Sequence, residues 1–588
     1  MGNYNWNSYD EVIDNLSFNW YLNDYWTVKG QFSVTKKYSK SEKFIDPLSS
    51  KTSVTGSKDN NLAGDLYTTN GESLDWNSNT FLYYTRSFNQ QHNLNVSAGW
   101  EAASGTTEST NAHYRGFPSG EFHSLNYAAE VYKKPTRTEN TTRRVSVLAS
   151  ANYTWNDIYL VDASVRFDGS SEFGANQKWA PFFSGGLGVN IHNYDFFKSN
   201  GYINKLKLRA SYGRTGKVNF PAYAATTMYE TLFDEWYITG YGAVLKALGN
   251  KDLTWEKTDK LSVGIETKTF HDRLTVDFEY YYNKTIDLVN DVTLSQTSGF
   301  STYKDNMGQV ANKGVELKLR ADIYRDRNWN VALWGNMAHN KNEILKISDS
   351  QKAYNERVAA YYKNEALYQE TLGLSHGAEY SVPLPQYEEG ASLTSIWAVR
   401  SLGIDPTTGK EIFLNRDGSI ADKWNAAQEV VVGNTEPKCS GAFGLNLSYK
   451  NWTLFASFLY EWGGQEYNQT LVNNVENADL VNKNVDLRVL TDRWKKPGDI
   501  AQFKDIKDRG MTTLPTSRFV QDKALVRLNS LNVSYDFNRD WIKKHLRMNL
   551  LRLEASTSDL INWSSIKQER GLSYPRSWKV EFSLKAQF

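Results

Sequence analysis

The sequence predicts an all-β protein: a transmembrane antiparallel β-barrel with short periplasmic turns and long extracellular loops. Three observations support this prediction. Apolar and polar residues alternate along many segments, short and long connections alternate between those segments, and aromatic residues make up 14% of the chain, with 36 Tyr and 19 Trp. Only alternate residues of a barrel strand face lipid, and aromatic side chains form girdles at both membrane interfaces.

Composition excludes several other classes of protein. The mean hydropathy of −0.59 and the absence of a run of about 18 apolar residues argue against a helical membrane protein. The net charge of +1 gives no basic excess for nucleic acid. A single cysteine, Cys439, cannot form an intramolecular disulfide. The first 20 residues lack the basic and apolar regions of a signal peptide, as expected for a mature secreted protein, a fragment or one half of a split protein.

The last segment of the chain has the clearest strand pattern. Residues 575–588 read PRSWKVEFSLKAQF and alternate at a period of two, so one face is apolar and the other is polar. The length suits a tilted crossing of a bilayer. We interpret this segment as the C-terminal barrel-closing strand, which ends at the periplasm and presents Trp578, Val580, Phe582, Leu584 and Phe588 on its apolar face.

Short turns join six pairs of predicted strands along the chain. All six turns contain Asn or Asp, which favour tight hairpins. Two strands change phase, after Leu528 and near Leu550, which predicts β-bulges. The strand pairs are 10–22 with 26–37, 76–88 with 94–103, 143–155 with 158–167, 261–270 with 274–283, 315–324 with 329–337, and 442–449 with 452–460.

The remaining connections are long, which matches the outer loops of a membrane barrel. Counting strands back from the C-terminus gives about 17, and an odd number cannot form a complete bacterial barrel from one chain. We therefore expect an odd number of strands to be absent from this chain. The long connections are 38–75, 105–139, 214–254, 286–306, 341–437 and 464–521, with 193–204 of intermediate length.

The longest connection, residues 341–437, is predicted to be an extracellular loop with a helical insert. Residues 348–374 have helical propensity and a weak apolar stripe. The segment LGIDPTTGKEIFLNRDGSI that follows predicts a small hairpin, because Asp405-Pro406 and Asp417-Gly418 are typical turn pairs.

Seven stretches, together with the C-terminal YPRSWKVEFSLKAQF, resemble the SusC/RagA family of TonB-dependent outer-membrane transporters of Bacteroidetes. Each is weak alone, but they occur in the family's order over most of the chain. The stretches are RFDGSSEFG (166–174), LKLRASYGRTGKV (206–218), NKDLTWEKTDKLSVGIE (250–266), DFEYYYNKTIDLV (277–289), NMGQVANKGVELKL (306–319), SLGIDPTTGKEIF (401–413) and ALVRLNSLNVSYDF (524–537).

This resemblance implies a 22-stranded barrel whose lumen is filled by a plug domain. It also implies a SusD-like surface lipoprotein lid, and import of oligosaccharides or peptides energised through TonB. Residues 1–588 show no plug domain, TonB box or carboxypeptidase-regulatory-like domain, so the chain is interpreted as a partial TonB-dependent transporter barrel. About 17 of the 22 strands are accounted for. We expect a companion polypeptide to carry the plug, the contact with TonB and the first strands.

Residues that could carry chemistry are few. The eight histidines are scattered, and no nucleophile, phosphate-binding or metal-binding motif occurs, so no catalytic, cofactor or metal site is predicted. Asp405 and Asp417 could hint at calcium, but turn formation is the favoured interpretation. Trp236, Tyr237 and Tyr241 lie in a long outer loop and are candidates for substrate contact, although packing within the loop or against the lid is favoured.

The favoured function is therefore the barrel component of an outer-membrane importer without enzymatic activity. A passive porin or an outer-membrane barrel enzyme is the alternative from the same fold. A soluble β-rich glycan-binding protein or glycosidase is the third hypothesis, and would differ from both barrels in its independence of detergent. The substrate, glycan or peptide, is not determined by the sequence.

Overall fold

The computed structural model is a mainly β protein, as predicted. In the described part of the chain, eighteen strands form one large antiparallel sheet, close to the 17 expected. Eight further strands there form two hairpins and a four-stranded sheet. The structure describes residues 2–52, 62–198, 202–218, 220, 222–238, 240–293, 302–306, 308–349, 351–353, 355, 356, 360, 382–478, 480, 485–507, 513–567 and 577–587.

The strands account for most of the described chain. Their bounds are β1 (Tyr4–Tyr21), β2 (Trp26–Ile45), β3 (Asp65–Phe88), β4 (His92–Arg115), β5 (Glu130–Trp155), β6 (Tyr159–Ser170), β7 (Trp179–Asn190), β8 (Ile203–Lys217), β9 (Met228–Tyr237), β10 (Gly240–Ala247), β11 (Glu256–Thr269), β12 (Leu274–Ile286), β13 (Val289–Thr293), β14 (Thr302–Asn306), β15 (Gln309–Arg325), β16 (Trp329–Lys346), β17 (Ser395–Ile404), β18 (Glu411–Leu414), β19 (Ile420–Ala421), β20 (Glu429–Asn434), β21 (Cys439–Tyr449), β22 (Trp452–Tyr467), β23 (Val520–Asp536), β24 (Leu550–Thr557), β25 (Asn562–Ser564) and β26 (Val580–Gln587).

Helices are short and lie in the connections. In the described part of the chain, no helix has both the length and the apolar character needed to cross a membrane. The α-helices whose residues are all described are α1 (Asp195–Lys198), α2 (Gln469–Leu471), α3 (Arg488–Thr491) and α4 (Arg539–Leu546), with a π-helical turn at Val472–Glu476 and 3₁₀ turns at Leu125–Tyr127, Ile191–Asn193, Ala426–Gln428 and Ser517–Phe519.

The chain divides into two compact units, of which the first comprises Met1–Gly186, Gly213–Lys257 and Val289–Asn306. In this unit β1 to β6 pair consecutively in antiparallel order. The register aligns apolar residues across neighbouring strands on one face of the sheet, because directly opposite residues share a face. One such row runs through Val28, Leu82, Ala98, Ala149 and Val165.

The second unit comprises Leu187–Tyr212, Thr258–Leu288 and Met307–Phe588. Its large sheet pairs β12, β15, β16, β21, β22, β23, β24 and β26 in that order, all antiparallel. Apolar and polar rows alternate here as well. One apolar row runs through Val276, Leu319, Gly335, Phe443 and Phe458.

The turns confirm the predicted hairpin chemistry. Asn156 and Asp157 both have positive φ, 52° and 56°, as a two-residue turn between twisted strands requires. Lys450, at another predicted joint, has φ 53°. At the first hairpin the Asn23 side chain accepts hydrogen bonds from the backbone N–H groups of Tyr25 and Trp26. Local residue choice therefore fixes how these strands reverse.

One of the two predicted bulges is confirmed and the other is wrong. The register of β22 with β23 shifts between Ser457–Ser530 and Phe458–Leu528, which places one extra residue in β23 after Leu528. The register of β24 with β26 is regular from its first pair onwards. The change of phase near Leu550 has a different cause: β24 begins there, after a left-handed residue, Arg547 (φ 55°), that ends α4.

Several strands continue well into segments that were predicted to be loops. β3 and β4 have 24 residues each and β5 has 26, so β5 is roughly 85 Å long at about 3.3 Å per residue. A tilted bilayer crossing needs only about 9–11 residues. The extensions are polar on both faces, so the sequence shows no alternation of apolar and polar residues there. Pairing of the backbones does not require an apolar face.

The long connection 341–437 contains more sheet than predicted. β16 continues to Lys346, and β17 pairs with β18 and β20. The predicted helix at 348–374 is described only at its start, where Lys352 N–H donates to the Ser348 carbonyl at 3.0 Å; the rest lies outside the described residues. Asp405 and Asp417 accept hydrogen bonds from Thr407 and Ser419, which confirms their role in turns.

Candidate functional site

A polar cavity of 530 Å³ lies on one face of the large sheet in the second unit. Its walls combine hydroxyl, amide, carboxylate and ammonium groups, so it offers both donors and acceptors of hydrogen bonds. The lining residues come from five strands, β8, β11, β12, β15 and β16, and are Ser211, Lys260, Ser262, Glu279, Tyr281, Asn283, Asn312, Glu316 and Asn340.

The register of three strands creates the space for Tyr281. Tyr281 lies opposite Gly314, which in turn lies opposite Asn340. A Cβ atom on Gly314 would stand 2.6 Å from the Tyr281 hydroxyl, so glycine is needed for the ring to lie across this strand. The hydroxyl then donates to Asn340 Oδ1 at 3.0 Å. The ring is thereby fixed against the wall of the cavity.

Ion pairs continue this polar face on the strands beside the cavity. Arg209 Nη2 lies 2.9 Å from Asp277 Oδ1 and 2.6 Å from Glu279 Oε2. Lys205 Nζ lies 2.6 Å from Glu266 Oε1. These side chains are about a quarter to a third exposed, so water screens the pairs and each contributes little to stability. Their effect is a hydrated surface of both charge signs.

The arrangement can bind a polar solute and can line a water-filled passage. In the described ranges, no group of three or more His, Cys, Asp or Glu side chains is placed to hold a metal ion. The function that this geometry supports is recognition through hydrogen bonds and charge.

The predicted aromatic candidates form part of a hairpin in the first unit. Trp236 and Tyr237 lie at the end of β9, and Tyr241 lies at the start of β10, where the backbones of Trp236 and Tyr241 are opposite each other. Tyr241 is 63% exposed. The side chains of Trp236 and Tyr237 lie outside the described part of the chain, so substrate contact by these residues stays a prediction.

The predicted C-terminal strand is present from Val580 to Gln587 and pairs with β24. Its apolar residues are exposed, with Trp578, just before the strand, at 78% and Phe582 at 75%; Phe588 lies outside the described residues. All eight residues of β26 are exposed, and 16 of 18 in β1 are exposed as well. A role in barrel closure stays a prediction.

Residues 1–550 match the family described as TonB dependent receptor-like, beta-barrel. The chain belongs to this family. TonB-dependent receptor P39 of Formosa agariphila is 26% identical over 566 residues, covering 87% of this chain and 53% of the relative. TonB-dependent receptor SusC of Bacteroides thetaiotaomicron is 29% identical over 255 residues, covering 41% of this chain and 25% of SusC. The chain spans about half the length of the Formosa relatives it matches.

Solved structures of the RagAB peptide importer share the fold of this TonB-dependent receptor barrel. The open-open state superposes with a TM-score of 0.82 at 21% identity, covering 99% of this chain and 62% of that one. The RagAB peptide transporter gives a TM-score of 0.79 at 22% identity, with 96% and 59% coverage. These likenesses show the fold, and the family match together with the relative SusC confirms the SusC/RagA resemblance seen in the sequence.

The barrel's second unit carries a buried charge network that sequence reasoning missed. Arg518 Nη2 lies 2.9 Å from Glu411 Oε2 and 2.6 Å from Glu476 Oε1, and the three side chains are 11%, 8% and 0% exposed. Burial lowers the pKa of Arg518, but the two carboxylates outweigh it and raise that pKa above its usual value. No local pattern could reveal this network, because its members are up to 107 residues apart.

A second missed residue is Glu429, the first residue of β20. Gln386 Nε2 donates to its carboxyl group, and Arg416 Nε donates to its backbone carbonyl at 3.1 Å. Burial, only partly offset by Gln386 and Arg416, raises the pKa of Glu429 from 4.5 to about 7. This carboxyl group is therefore largely protonated at pH 5 and largely charged at pH 8.

We expect the small sheet around β20 to become less stable as pH rises. The folded-state pKa of Glu429 is above its unfolded value, so its stabilising contribution is complete below about pH 4.5 and is lost as pH rises through about 7. Glu429→Gln, which stays neutral, should slow protease cleavage near β20 at pH 8 and change it little at pH 5.

The matched control for this prediction is Glu388→Gln. Glu388 lies two residues from Gln386, the partner of Glu429, but it is exposed, so neutralising it relieves no buried charge. We expect Glu388→Gln to leave cleavage near β20 unchanged at both pH values. An equal effect of Glu429→Gln at pH 5 and pH 8 would contradict the prediction.

Proposed function

We propose that this chain is the outer-membrane barrel component of a SusCD-type TonB-dependent importer of oligosaccharides or peptides. The observation that carries the proposal is the family match over residues 1–550, combined with a sheet that has one apolar and one polar face. The apolar face suits lipid, and the polar face with its 530 Å³ cavity suits a hydrated lumen. The chain acts by binding and passage, without covalent chemistry.

The proposed complex includes further strands beside β1 and β26. Unlike the residues of inner strands such as β4, nearly all residues of these two strands are exposed. Exposed backbone edges are not tolerated in a lipid bilayer. We infer that additional strands complete the sheet, and that a plug provides the contact with TonB.

A SusD-like surface lipoprotein is the proposed partner on the outer side. The connections of the second unit expose isolated apolar side chains, including Ile420 (70%), Leu487 (72%) and Ile500 (96%), which offer contact area for a lid. One relative is named SusC, and a solved structure with a similar fold is named RagAB. Both names support a lipoprotein partner. The aromatic residues Trp236, Tyr237 and Tyr241 are proposed to contact substrate.

The test is purification of the tagged protein from its own outer membrane, followed by intact-mass analysis. We expect the purified complex to contain a plug-bearing segment and a lipoprotein, and we expect growth on the imported nutrient to require both this chain and TonB. Heat-modifiable migration on gels checks that the barrel is folded. A complex without any plug-bearing segment that conducts ions freely would favour a passive porin and reject the importer.

A further inference from the structure

The first unit contains a second cavity, of 580 Å³, on the polar face of β3 to β6. It is large enough for two or three sugar or amino-acid units. Its lining includes Asn77 and Asn79 of β3 and Lys217 at the end of β8. The cavity differs in charge from the one in the second unit, because three of its lining residues are Arg or Lys.

One of the three cations, Arg166, is already neutralised. Its Nη2 lies 2.8 Å from Glu101 Oε2 and donates to Ser146 Oγ at 2.9 Å, and its Nε lies 2.5 Å from Asp168 Oδ1. Two carboxylates therefore face one guanidinium. This triad forms a polar floor with a net charge of −1, so Arg144 and Lys217 give the lining of the cavity its net charge of +1.

The other two cations, Arg144 and Lys217, are available. Among the described residues, neither side chain has an ion pair or a side-chain hydrogen bond, and both residues are exposed. The cavity thus has two cations at its rim beside the Arg166 triad. Two unpaired cations at the rim of a polar cavity favour a ligand that carries a carboxylate.

Trp255 supplies an independent indication of a ligand. Trp255 is only 6% exposed, and its ring stacks on Phe173 at a centroid distance of 4.2 Å. It lines the cavity, yet in the described part of the structure its indole Nε1 has no hydrogen-bond partner. A buried donor without an acceptor costs about 1–3 kcal/mol, and a ligand oxygen in the cavity would remove that cost.

Measured along β4 and β5, the cavity lies about one bilayer crossing away from the short turns. Arg144 lies 11 positions before Trp155, the last residue of β5, and Glu101 lies nine positions after His92, the first residue of β4. A tilted crossing uses about 9–11 residues. If the short turns are periplasmic, as the proposed function requires, a solute arriving from outside meets this cavity first.

We propose that this cavity is a binding subsite for the carboxylate of an acidic soluble ligand, an acidic oligosaccharide or an acidic peptide. Arg144 and Lys217 pair with the carboxylate, and the Trp255 N–H donates to an uncharged oxygen of the same ligand. The inference deepens the proposed import function and rests on it for the side from which the ligand arrives. It assigns charge selectivity to the first unit.

Calorimetric titration of the purified complex with two matched pairs of probes tests the proposal. The acidic probes are trigalacturonate and triglutamate, and their neutral partners are maltotriose and triglutamine. We expect one acidic probe to bind at least about tenfold more tightly than its partner, and to weaken as salt rises. Binding of trigalacturonate indicates a glycan ligand, and binding of triglutamate indicates a peptide ligand.

Variants locate the binding. Arg144→Gln and Lys217→Gln should each weaken the acidic probe about tenfold, and Trp255→Phe, which keeps a stacking ring, should weaken it less. Lys207→Gln, on the same strand as Lys217 but outside the cavity, is the matched control. Heat-modifiable migration verifies folding of each variant.

Two results would overturn the inference. One is no binding of either acidic probe at about 1 mM, and the other is equal binding to the wild type and the Arg144→Gln/Lys217→Gln double variant. Because titration needs no TonB, loss of TonB-dependent growth is scored separately. Charge-selective binding in a protein that does not support TonB-dependent growth would reject the importer and support the subsite.

Discussion

Arg518→Met is expected to destabilise the outer connections of the second unit and to lower their local free energy of unfolding by about 3–5 kcal/mol. Met has a similar volume but no charge, so Glu411 and Glu476 would stay buried without their shared partner. Glu476 is fully buried and Glu411 is 8% exposed at the side chain. Removing one member of a buried ion-pair network leaves an uncompensated charge, which costs more than the network itself contributes.

The structure indicates where this loss would appear. Glu476 ends the π-helical turn Val472–Glu476. Val472 and Val475 of this turn form an apolar core with Val489 and with Phe519, the residue next to Arg518. Arg518 also donates to the Gln502 carbonyl at 2.6 Å. Amide hydrogen exchange of 469–519 should therefore accelerate in Arg518→Met, while exchange in β21 and β22 changes little.

Arg209→Met is the matched control, because Arg209 also bridges two carboxylates, Asp277 and Glu279. The three side chains of this ion-pair group are about a quarter to a third exposed. Arg209→Met should therefore lower the free energy of unfolding by less than about 1 kcal/mol. The double variant Arg518→Met/Glu476→Gln should recover part of the lost protection, because one buried charge is removed with it. Equal effects of Arg518→Met and Arg209→Met would refute the importance of burial here.

Phe582→Arg is expected to destabilise the membrane-inserted barrel by about 2–4 kcal/mol, the cost of an arginine on the lipid face near the bilayer midplane. Phe582 is 75% exposed and lies near the middle of the apolar face that runs from Trp578 to the C-terminus. Its cross-strand partner is Ala555, which has no charge to pair with arginine.

Ser583→Arg is the control on the opposite face of the same strand. Ser583 lies opposite Glu554, so an arginine there enters a polar surface with a carboxylate at hand. Urea titration of the complete complex in lipid vesicles, followed by heat-modifiable migration, compares the two variants. Similar losses for Phe582→Arg and Ser583→Arg would show that the face assignment of β26 is wrong.

The local parts of the fold could be predicted from the sequence, because they depend on near neighbours. Alternation in 274–283 and at the C-terminus predicts strands β12 and β26, and Asn156-Asp157 predicts a tight turn. The extended parts of β3 to β5 could not be predicted in this way, because outside the membrane neither face needs to be apolar. The phase change near Leu550 was misread, because a left-handed helix end and a bulge look alike in a list of residues.

The sequence alone determined the fold class, the family resemblance and the polarity of the two strand faces, since each depends on periodicity or on a short motif. Only the tertiary structure decided which charges meet. It brought Arg518 to Glu411 and Glu476, placed Arg144 and Lys217 at one cavity, and buried the Trp255 indole N–H without an acceptor among the described residues. The physical reason is long-range packing, which makes neighbours of connections and strands that are far apart in sequence. Within the sheets, a shift of register by one residue would move each side chain to the other face.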